Sequence, residues 1–276
     1  RTLGPLERGG DAIVIDLRGN GGGSHGAVRY LISHFLAPET LELTLLEAGK
    51  PPFQSRALDY LPAGRLTGRP LYVLIDGRTG SAAEAFAYDV QQFKLGTLIG
   101  AKTAGAANNN SFTPIAPGFV LSVSYGRPVH PVSQSNWEGA GVAPDMAVAP
   151  DQALETAQSL ALAALAARPD ADPADRADWE WARTGIAARL HPVALPVEQL
   201  APFAGSFGRN RIVLRDGALW IERADRPAAR LALMTRDGLF AVEGYGDTLR
   251  LRLSRAAMEM LWIDEPAPRR IVRSGD

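Results

Sequence analysis

Hydrophobic residues in the first half of the chain form short runs, several of which end in glycine and lead into alanine-rich or amphipathic segments. The runs at residues 12–17 and 71–76 are apolar and β-branched, which is typical of buried strands. Further strands are predicted at residues 41–46, 96–100 and 119–125, and helices at residues 25–36, after Gly80 and after Asp151. Alternating apolar strands and helices predict an α/β layered core over residues 1–167.

The second half of the chain has a different pattern. Residues 168–195 begin with a run rich in proline and aspartate and are interpreted as a linker with a short helix near residues 179–190. From residue 196 to residue 276 short apolar runs alternate with turn signals, of which Asp216-Gly217 and Asp237-Gly238 are typical of hairpins. This pattern predicts a small all-β accessory domain. Residues 50–69, rich in proline and glycine, are predicted to run over the surface.

Ser81 lies where the strand at residues 71–76 turns into a helix. Such a turn holds a side chain at the edge of a sheet, and the free N–H groups of the helix start stabilise negative charge. Ser81 is therefore a candidate nucleophile. The alternative is structural, because Ser81-x-x-Glu84 is also a capping box. A lipase-type Gly-x-Ser-x-Gly turn is excluded, since Thr79 and Ala83 occupy its glycine positions.

A glycine-rich loop at residues 18–23 follows the first strand and precedes a helix. Glycines let backbone amides approach a negative oxygen closely, so this loop is a candidate anion site. Gly21-x-Gly23-x-x-Gly26, with Glu47 further on, also fits a dinucleotide-binding fingerprint. Asp16 at the strand end opposes a pyrophosphate there, and no second mononucleotide-binding unit follows.

Composition narrows the classes of function. The chain has 276 residues, 46% of them hydrophobic, which is ample for a packed core. A net charge of −1 argues against a nucleic-acid or anionic-membrane surface, and the absence of cysteine excludes disulfides and zinc–thiolate sites. No run has the length of a membrane span and no signal peptide is visible. Because the chain opens on Arg1, we expect an upstream segment to be missing.

Four motifs occur in one order, at residues 16–23, 79–84, 100–105 and 137–145. Together they resemble the tail-specific (C-terminal-processing) serine protease family, in the branch that includes the tricorn core and the interphotoreceptor retinoid-binding protein. The resemblance covers about residues 10–166. It implies a layered core like that of the crotonase and Clp-protease fold.

The resemblance also implies a site and an activity. Ser81 would be the acylated nucleophile, and the amides of Ala82 and of Gly22 or Gly23 would form the oxyanion hole. The implied function is hydrolysis of peptide bonds in a peptide or protein substrate, with no metal or organic cofactor and in an extracytoplasmic setting; oligomerisation is left open. A non-catalytic ligand- or peptide-binding relative is the alternative function.

The resemblance leaves the general base open. Members with a serine–lysine dyad carry the lysine 25 residues after the serine, where this chain has Ala106, and Lys102 lies four residues too early. The tricorn-like branch instead pairs a histidine from an upstream segment with a glutamate that matches Glu138. We therefore expect a base outside this chain and poor hydrolysis by the chain alone. The residues kept as supporting candidates are Glu84, Lys102, His25 and His130; His34 and His191 are interpreted as structural.

Overall fold

The computed structural model describes residues 10–265 and 267–274. The chain divides into two compact units, residues 1–161 and 162–276. None of the described helices is long and apolar enough to cross a membrane.

Among the described residues, the first unit combines eight strands with three helices, the last of which continues past residue 161. In chain order its elements are β1 (Ile13–Asp16), α1 (His25–Ile32), β2 (Leu41–Glu47), β3 (Phe53–Arg56), β4 (Leu71–Ile75), α2 (Ala82–Gln92), β5 (Thr97–Gly100), β6 (Asn109–Ala116), β7 (Phe119–Val129), β8 (Met146–Ala147) and α3 (Ala153–Ala166).

A parallel sheet with the order β1-β4-β5-β8 lies at the centre of this unit. Alternate side chains of β4 point to opposite faces, as in any strand. Val73 and Ile75 join a cluster with α1 and α2, whereas Tyr72 and Leu74 pack against α3. Both faces are therefore covered by helices, and the predicted α/β layered core is confirmed.

Small residues let α3 lie close to the sheet. Ala153 and Ala157 are fully buried against it, and Ala161 is nearly so. Leu154, which the periodic pattern assigns to the buried face of this helix, is instead 38% exposed. Ala153, one position earlier, is buried in its place.

A second sheet in this unit is antiparallel, with the order β3-β2-β7-β6. Two of its strands correct the sequence prediction. Residues 53–56, predicted to lie in a surface excursion, form β3, and the asparagines at 109 and 110, predicted as loop, begin β6. Both segments are weak strand formers, and their extended conformation depends on hydrogen bonds from β2 and β7.

The second unit contains two helices, a 3₁₀ turn and one antiparallel sheet. Its elements are α4 (Pro173–Leu190), α5 (Val197–Leu200), the 3₁₀ turn Ala201–Phe203, β9 (Gly205–Phe207), β10 (Asn210–Arg215), β11 (Ala218–Arg223), β12 (Arg226–Thr235), β13 (Leu239–Val242), β14 (Leu249–Leu253), β15 (Ala257–Trp262) and β16 (Arg269–Val272). The eight strands follow one another in chain order across the sheet. The small C-terminal β structure is confirmed, with β9, β12 and β16 added to the predicted strands.

The hairpin between β10 and β11 forms where the sequence predicts it. Asp216 and Gly217 have φ angles of 51° and 74°, which is the left-handed geometry that a tight two-residue hairpin requires. The sheet covers its own core, whose fully buried members include Phe207, Phe240 and Leu251.

Helix α4 is longer than the short helix predicted for residues 179–190 and packs on the β-sheet. Its Trp181 indole N–H donates to the carbonyl of Asp247 at 2.6 Å. The Arg250 guanidinium lies 4.0 Å from the centre of the Trp181 ring and donates to the Trp181 carbonyl at 2.8 Å. Much of the predicted linker thus packs against the β strands, and the predicted domain bounds at residues 168 and 196 stay a prediction.

We predict that a fragment of residues 168–276 is more stable than a fragment of residues 196–276. Without α4, the buried Arg250 side chain, only 3% exposed, loses its ring and carbonyl partners. We expect a melting temperature lower by roughly 5–10 °C, equivalent to about 1–2 kcal/mol. Calorimetry measures it, with Trp181→Ala in the longer fragment as the matched variant that reproduces most of the loss. Equal melting temperatures would contradict the assignment of α4 to this unit.

Two titratable side chains are buried together beneath α2. His130 Nε2 lies 3.4 Å from Asp89 Oδ1, and each side chain is only 2% exposed. Burial raises the pKa of Asp89 well above its usual value, and the negative charge of Glu42 adds to the effect. Burial lowers the pKa of His130 to about 4. Burial therefore favours the uncharged form of each side chain, a protonated Asp89 carboxyl and a neutral His130 imidazole.

This arrangement predicts an unusual pH dependence. The two shifts change the free energy of unfolding in opposite directions. Because the pKa of His130 is lowered to about 4 in the folded chain, its contribution makes the free energy of unfolding rise with pH between about 4 and 6.5. Because the pKa of Asp89 is raised, its contribution makes the free energy of unfolding fall as pH rises above the usual aspartate range, until folded Asp89 ionises.

Asp89→Asn should remove that fall, because an amide cannot ionise. The stability of the variant relative to the native chain should therefore increase with pH, by up to about 1.4 kcal/mol per pH unit, over the range in which folded Asp89 keeps its proton and an unfolded aspartate does not. Denaturant unfolding at pH 5, 6.5 and 8 measures this, with the exposed Asp59→Asn as control. Parallel pH profiles for Asp89→Asn and the native chain would disprove it.

Candidate active site

The turn between β4 and α2 is held by hydrogen bonds on both sides of Ser81. On the strand side, Asp76 Oδ1 accepts the amides of Gly19 at 3.0 Å, Arg78 at 2.9 Å and Thr79 at 3.0 Å. Burial opposes ionisation of this carboxyl, but the amide donors outweigh it and hold the pKa of Asp76 below its usual value. The turn thereby also fixes the start of the glycine loop.

Ser81 itself has an uncommon backbone conformation, with φ of 51° and ψ of −122°. Residues other than glycine adopt positive φ at a cost of about 1–3 kcal/mol, and such residues concentrate at functional sites. An ordinary N-cap serine has extended dihedral angles instead. The Ser81 side of the predicted capping box therefore departs from the usual capping geometry, and Ser81 is exposed.

The Glu84 side chain accepts the Ser81 amide, as the glutamate of a capping box does, and it accepts three further hydrogen bonds. Its carboxylate is fully buried and accepts the Ser81 amide at 2.9 Å. It also accepts the Thr103 hydroxyl at 2.5 Å and the amides of Gly105 and Ala106 at 2.6 and 2.9 Å. Glu84, a supporting candidate from the sequence, thus ties the segment at residues 103–106 to the serine turn.

The glycine loop packs directly on this turn. A β carbon on Gly22 would lie 2.6 Å from the Ser81 β carbon and 2.8 Å from the Gly80 carbonyl oxygen, and Gly22 has φ of 106°. Gly80 also donates its amide to the Asn20 carbonyl at 2.9 Å. Only glycine fits at position 22, because both the space and the backbone conformation exclude a side chain.

Ser81 opens onto a cavity of about 150 Å³. Ser81, Ala82, Gly23 and His25 lie along one part of its wall, beside Ala107 and Asn109. The remaining lining residues are apolar: Leu43, Leu45, Phe53, Ala85, Pro128 and Trp137. The cavity therefore places the candidate nucleophile next to a pocket suited to an apolar side chain.

The backbone amides of Gly23 and Ala82, at this wall, donate to no acceptor within the described residues. The Gly22 amide, by contrast, donates to Asn20 Oδ1 at 3.0 Å. Because Ala82 is the first residue of α2, its amide also points out of the helix N-terminus. Of the two glycines expected from the resemblance, Gly23 is therefore the one whose amide is available to an anion.

Glu138 lies beside the cavity but does not line it. Its neighbours Trp137 and Ala107 are part of the wall, whereas Glu138 is exposed. Glu138 Oε2 accepts the amides of Ala107 and Asn108, each at 2.8 Å. Together with Glu84, it thus receives four consecutive amides, those of residues 105–108. The sequence alone gives no indication that Glu84 and Glu138 bind adjacent amides of the same segment.

Two of the other predicted residues lie away from the cavity wall. Lys102 is exposed, and the Ala106 position supplies only a backbone amide, which Glu84 accepts. His130, expected to line the cleft, is buried against Asp89, Tyr88 and Phe93 and is not part of the wall.

His25 does line the cavity, and it has partners that sequence reasoning missed. Its Nε2 lies 2.9 Å from Ser55 Oγ, and the Ser55 hydroxyl donates to Glu42 Oε2 at 2.9 Å. Ser55 belongs to β3, the strand that the sequence did not predict, so nothing in the pattern could connect it to His25. Within the described residues no group of histidine, aspartate and glutamate side chains is arranged to hold a metal ion.

Comparison with known proteins found two relatives of similar sequence. The chain is 33% identical over 135 residues to the carboxyl-terminal-processing protease of a Picosynechococcus species, covering 47% of this chain and 31% of that protein. The enzyme of the same name from a Synechocystis species is 30% identical over 128 residues, covering 45% and 29%. The chain thus spans about a third of the length of these relatives.

A solved structure of the photosystem II D1 C-terminal processing protease matches with a TM-score of 0.41 and 23% identity, covering 52% of this chain and 36% of that one. Residues 2–148 match the family model described as peptidase family S41. The match to this model places the chain in a family of peptidases. The chain belongs to peptidase family S41, and the resemblance to the tail-specific proteases is confirmed.

The close packing of Gly22 predicts a large difference between neighbouring glycines. Gly22→Ala should lower the free energy of unfolding by roughly 2–4 kcal/mol, since its β carbon overlaps Ser81 and its φ disfavours alanine. Gly21→Ala is the matched control: its β carbon would meet nothing within 4 Å, so a change within about 0.5 kcal/mol is expected. Denaturant unfolding of both variants measures this, and equal losses would refute the packing.

Proposed function

We propose that this chain carries the nucleophile and oxyanion hole of a serine peptidase, which hydrolyses peptide bonds through an acyl-enzyme on Ser81. One observation carries the proposal: Ser81, in a strained backbone conformation, shares a cavity wall with the unused amides of Ala82 and Gly23. Membership of a peptidase family supports the reaction class. Peptides or proteins are accordingly the proposed substrates.

The proposed chemistry follows from these groups. Ser81 Oγ attacks the carbonyl carbon of the scissile bond, and the carbonyl oxygen becomes an oxyanion that accepts the amides of Ala82 and Gly23. One such donor is typically worth ~10²- to 10³-fold in rate. Expulsion of the amine leaves an ester on Ser81, which water then hydrolyses. The positive end of the α2 dipole favours the same negative charge.

The apolar wall supports a preference for an apolar side chain in the adjoining pocket. The extracytoplasmic setting implied by the family resemblance stays part of the proposal. The sequence also predicted a histidine base from outside the chain, oriented by Glu138. Glu138 Oε2 already accepts two amides, so only its other oxygen would face such a base.

Covalent labelling tests the nucleophile. A fluorophosphonate probe should add one adduct to Ser81, located by peptide mass spectrometry, and Ser81→Ala should abolish it. Ser24→Ala, a change at an exposed serine that follows the glycine loop, should leave labelling unchanged. An intact chain that gives no adduct would favour a non-catalytic, ligand- or peptide-binding member of the family.

A further inference from the structure

His25 is the only titratable side chain along the described cavity wall that also contains Ser81. It is the first residue of α1 and follows the glycine loop directly. Every other lining side chain is apolar, a hydroxyl or an amide. If a group of this chain is to accept the Ser81 proton within the cavity, His25 is the one whose position and chemistry fit.

Three side chains from three elements form a continuous hydrogen-bonded relay. His25 on α1 contacts Ser55 on β3, and Ser55 contacts Glu42 on β2, at 2.9 Å in each step. Since the single Ser55 proton is donated to Glu42, Ser55 accepts from His25, which places the imidazole proton on Nε2. The lone pair of the neutral ring is then on Nδ1, the nitrogen that a base needs.

The far end of the relay is a buried acid. Glu42 is fully buried, and its Oε1 has no hydrogen-bond partner within the described residues. Burial raises the pKa of Glu42, against the opposing effects of His25, the Ser55 hydroxyl and Arg29. The negative charge of Glu42 also raises the pKa of Asp89 on α2. A positive charge on His25 favours the ionised form of Glu42, so an imidazolium on His25 and the Glu42 carboxylate stabilise one another through Ser55, as a third group supports the base in a catalytic triad.

We propose that His25 accepts the Ser81 proton and that Ser55 and Glu42 are positioning residues for its ring. This inference rests on the proposed function of Ser81. As Ser81 Oγ bonds to the substrate carbonyl carbon, its proton moves to His25 Nδ1 and the carbonyl π electrons move to the oxygen. His25 then gives that proton to the leaving amine as the carbon–nitrogen bond breaks. The base would thus lie within this chain, rather than in an upstream segment.

The experiment measures the second-order rate constant for fluorophosphonate labelling of the whole 276-residue chain between pH 5 and 9. His25→Ala should lower it by about 10²-fold or more, the usual contribution of a positioned base, and remove its rise with pH. Added imidazole should restore part of the rate. Glu42→Gln should also lower the rate, since it removes the carboxylate that accepts the Ser55 hydroxyl. His191→Gln, at an exposed histidine of the second unit, should change nothing.

Ser55→Ala tests whether Ser55 positions the His25 ring or is needed for the fold. It should lower the labelling rate by about 10-fold while circular dichroism and the melting temperature stay close to those of the native chain. Loss of rate in His25→Ala that imidazole does not restore, together with a fall in melting temperature, would make His25 a structural residue and overturn the inference.

The inference and the proposed function fail in different ways. If the native chain is labelled at Ser81 but His25→Ala is labelled at the same rate with the same pH profile, Ser81 stands as nucleophile and the base lies elsewhere. If the native chain is not labelled at all, the proposed function itself is wrong.

Discussion

The site depends on two carboxylates that receive the backbone of one segment. Glu84 accepts the amides of Gly105 and Ala106, and Glu138 accepts the next two, of Ala107 and Asn108. Glu84 also accepts the amide of Ser81 and so joins this segment to the serine turn. A carboxylate buried without donors costs several kcal/mol, whereas one with four donors is well accommodated. The arrangement is therefore stable only when complete, which fixes the geometry around Ser81.

The glycine loop also helps to fix the geometry around Ser81, because it packs on the serine turn. Its Gly22 touches the β carbon position of Ser81, and its Asn20 accepts the Gly80 amide. Asn20 also accepts the Gly22 amide, whereas the Gly23 amide has no acceptor in the described part of the chain, and Gly23 and Ala82 both line the cavity. A loop that packs without side chains can thus bring two donors to one place. The buried charge and the close packing together position the proposed oxyanion hole.

Functional and structural roles separate clearly among the histidines. His130 and Asp89 form a buried pair, and burial keeps the pKa of His130 low, so this histidine serves the core. His25 lies at the cavity and is connected to a buried glutamate by a serine. The two histidines therefore differ in the side chains that surround them.

The sequence by itself determined the strand, the turn and the helix around Ser81, the need for glycines in the loop, and the family. These are local properties: β-branched runs, alanine-rich helices and residues without a β carbon have the same conformational preferences wherever they occur. The tertiary structure alone decided that Glu84 and Glu138 share one segment, that residues 53–56 form a strand, and that Glu42, Ser55 and His25 connect. These features are contacts between segments far apart in the chain, and their partners are chosen by sheet pairing and by the satisfaction of buried charge, which no local pattern encodes.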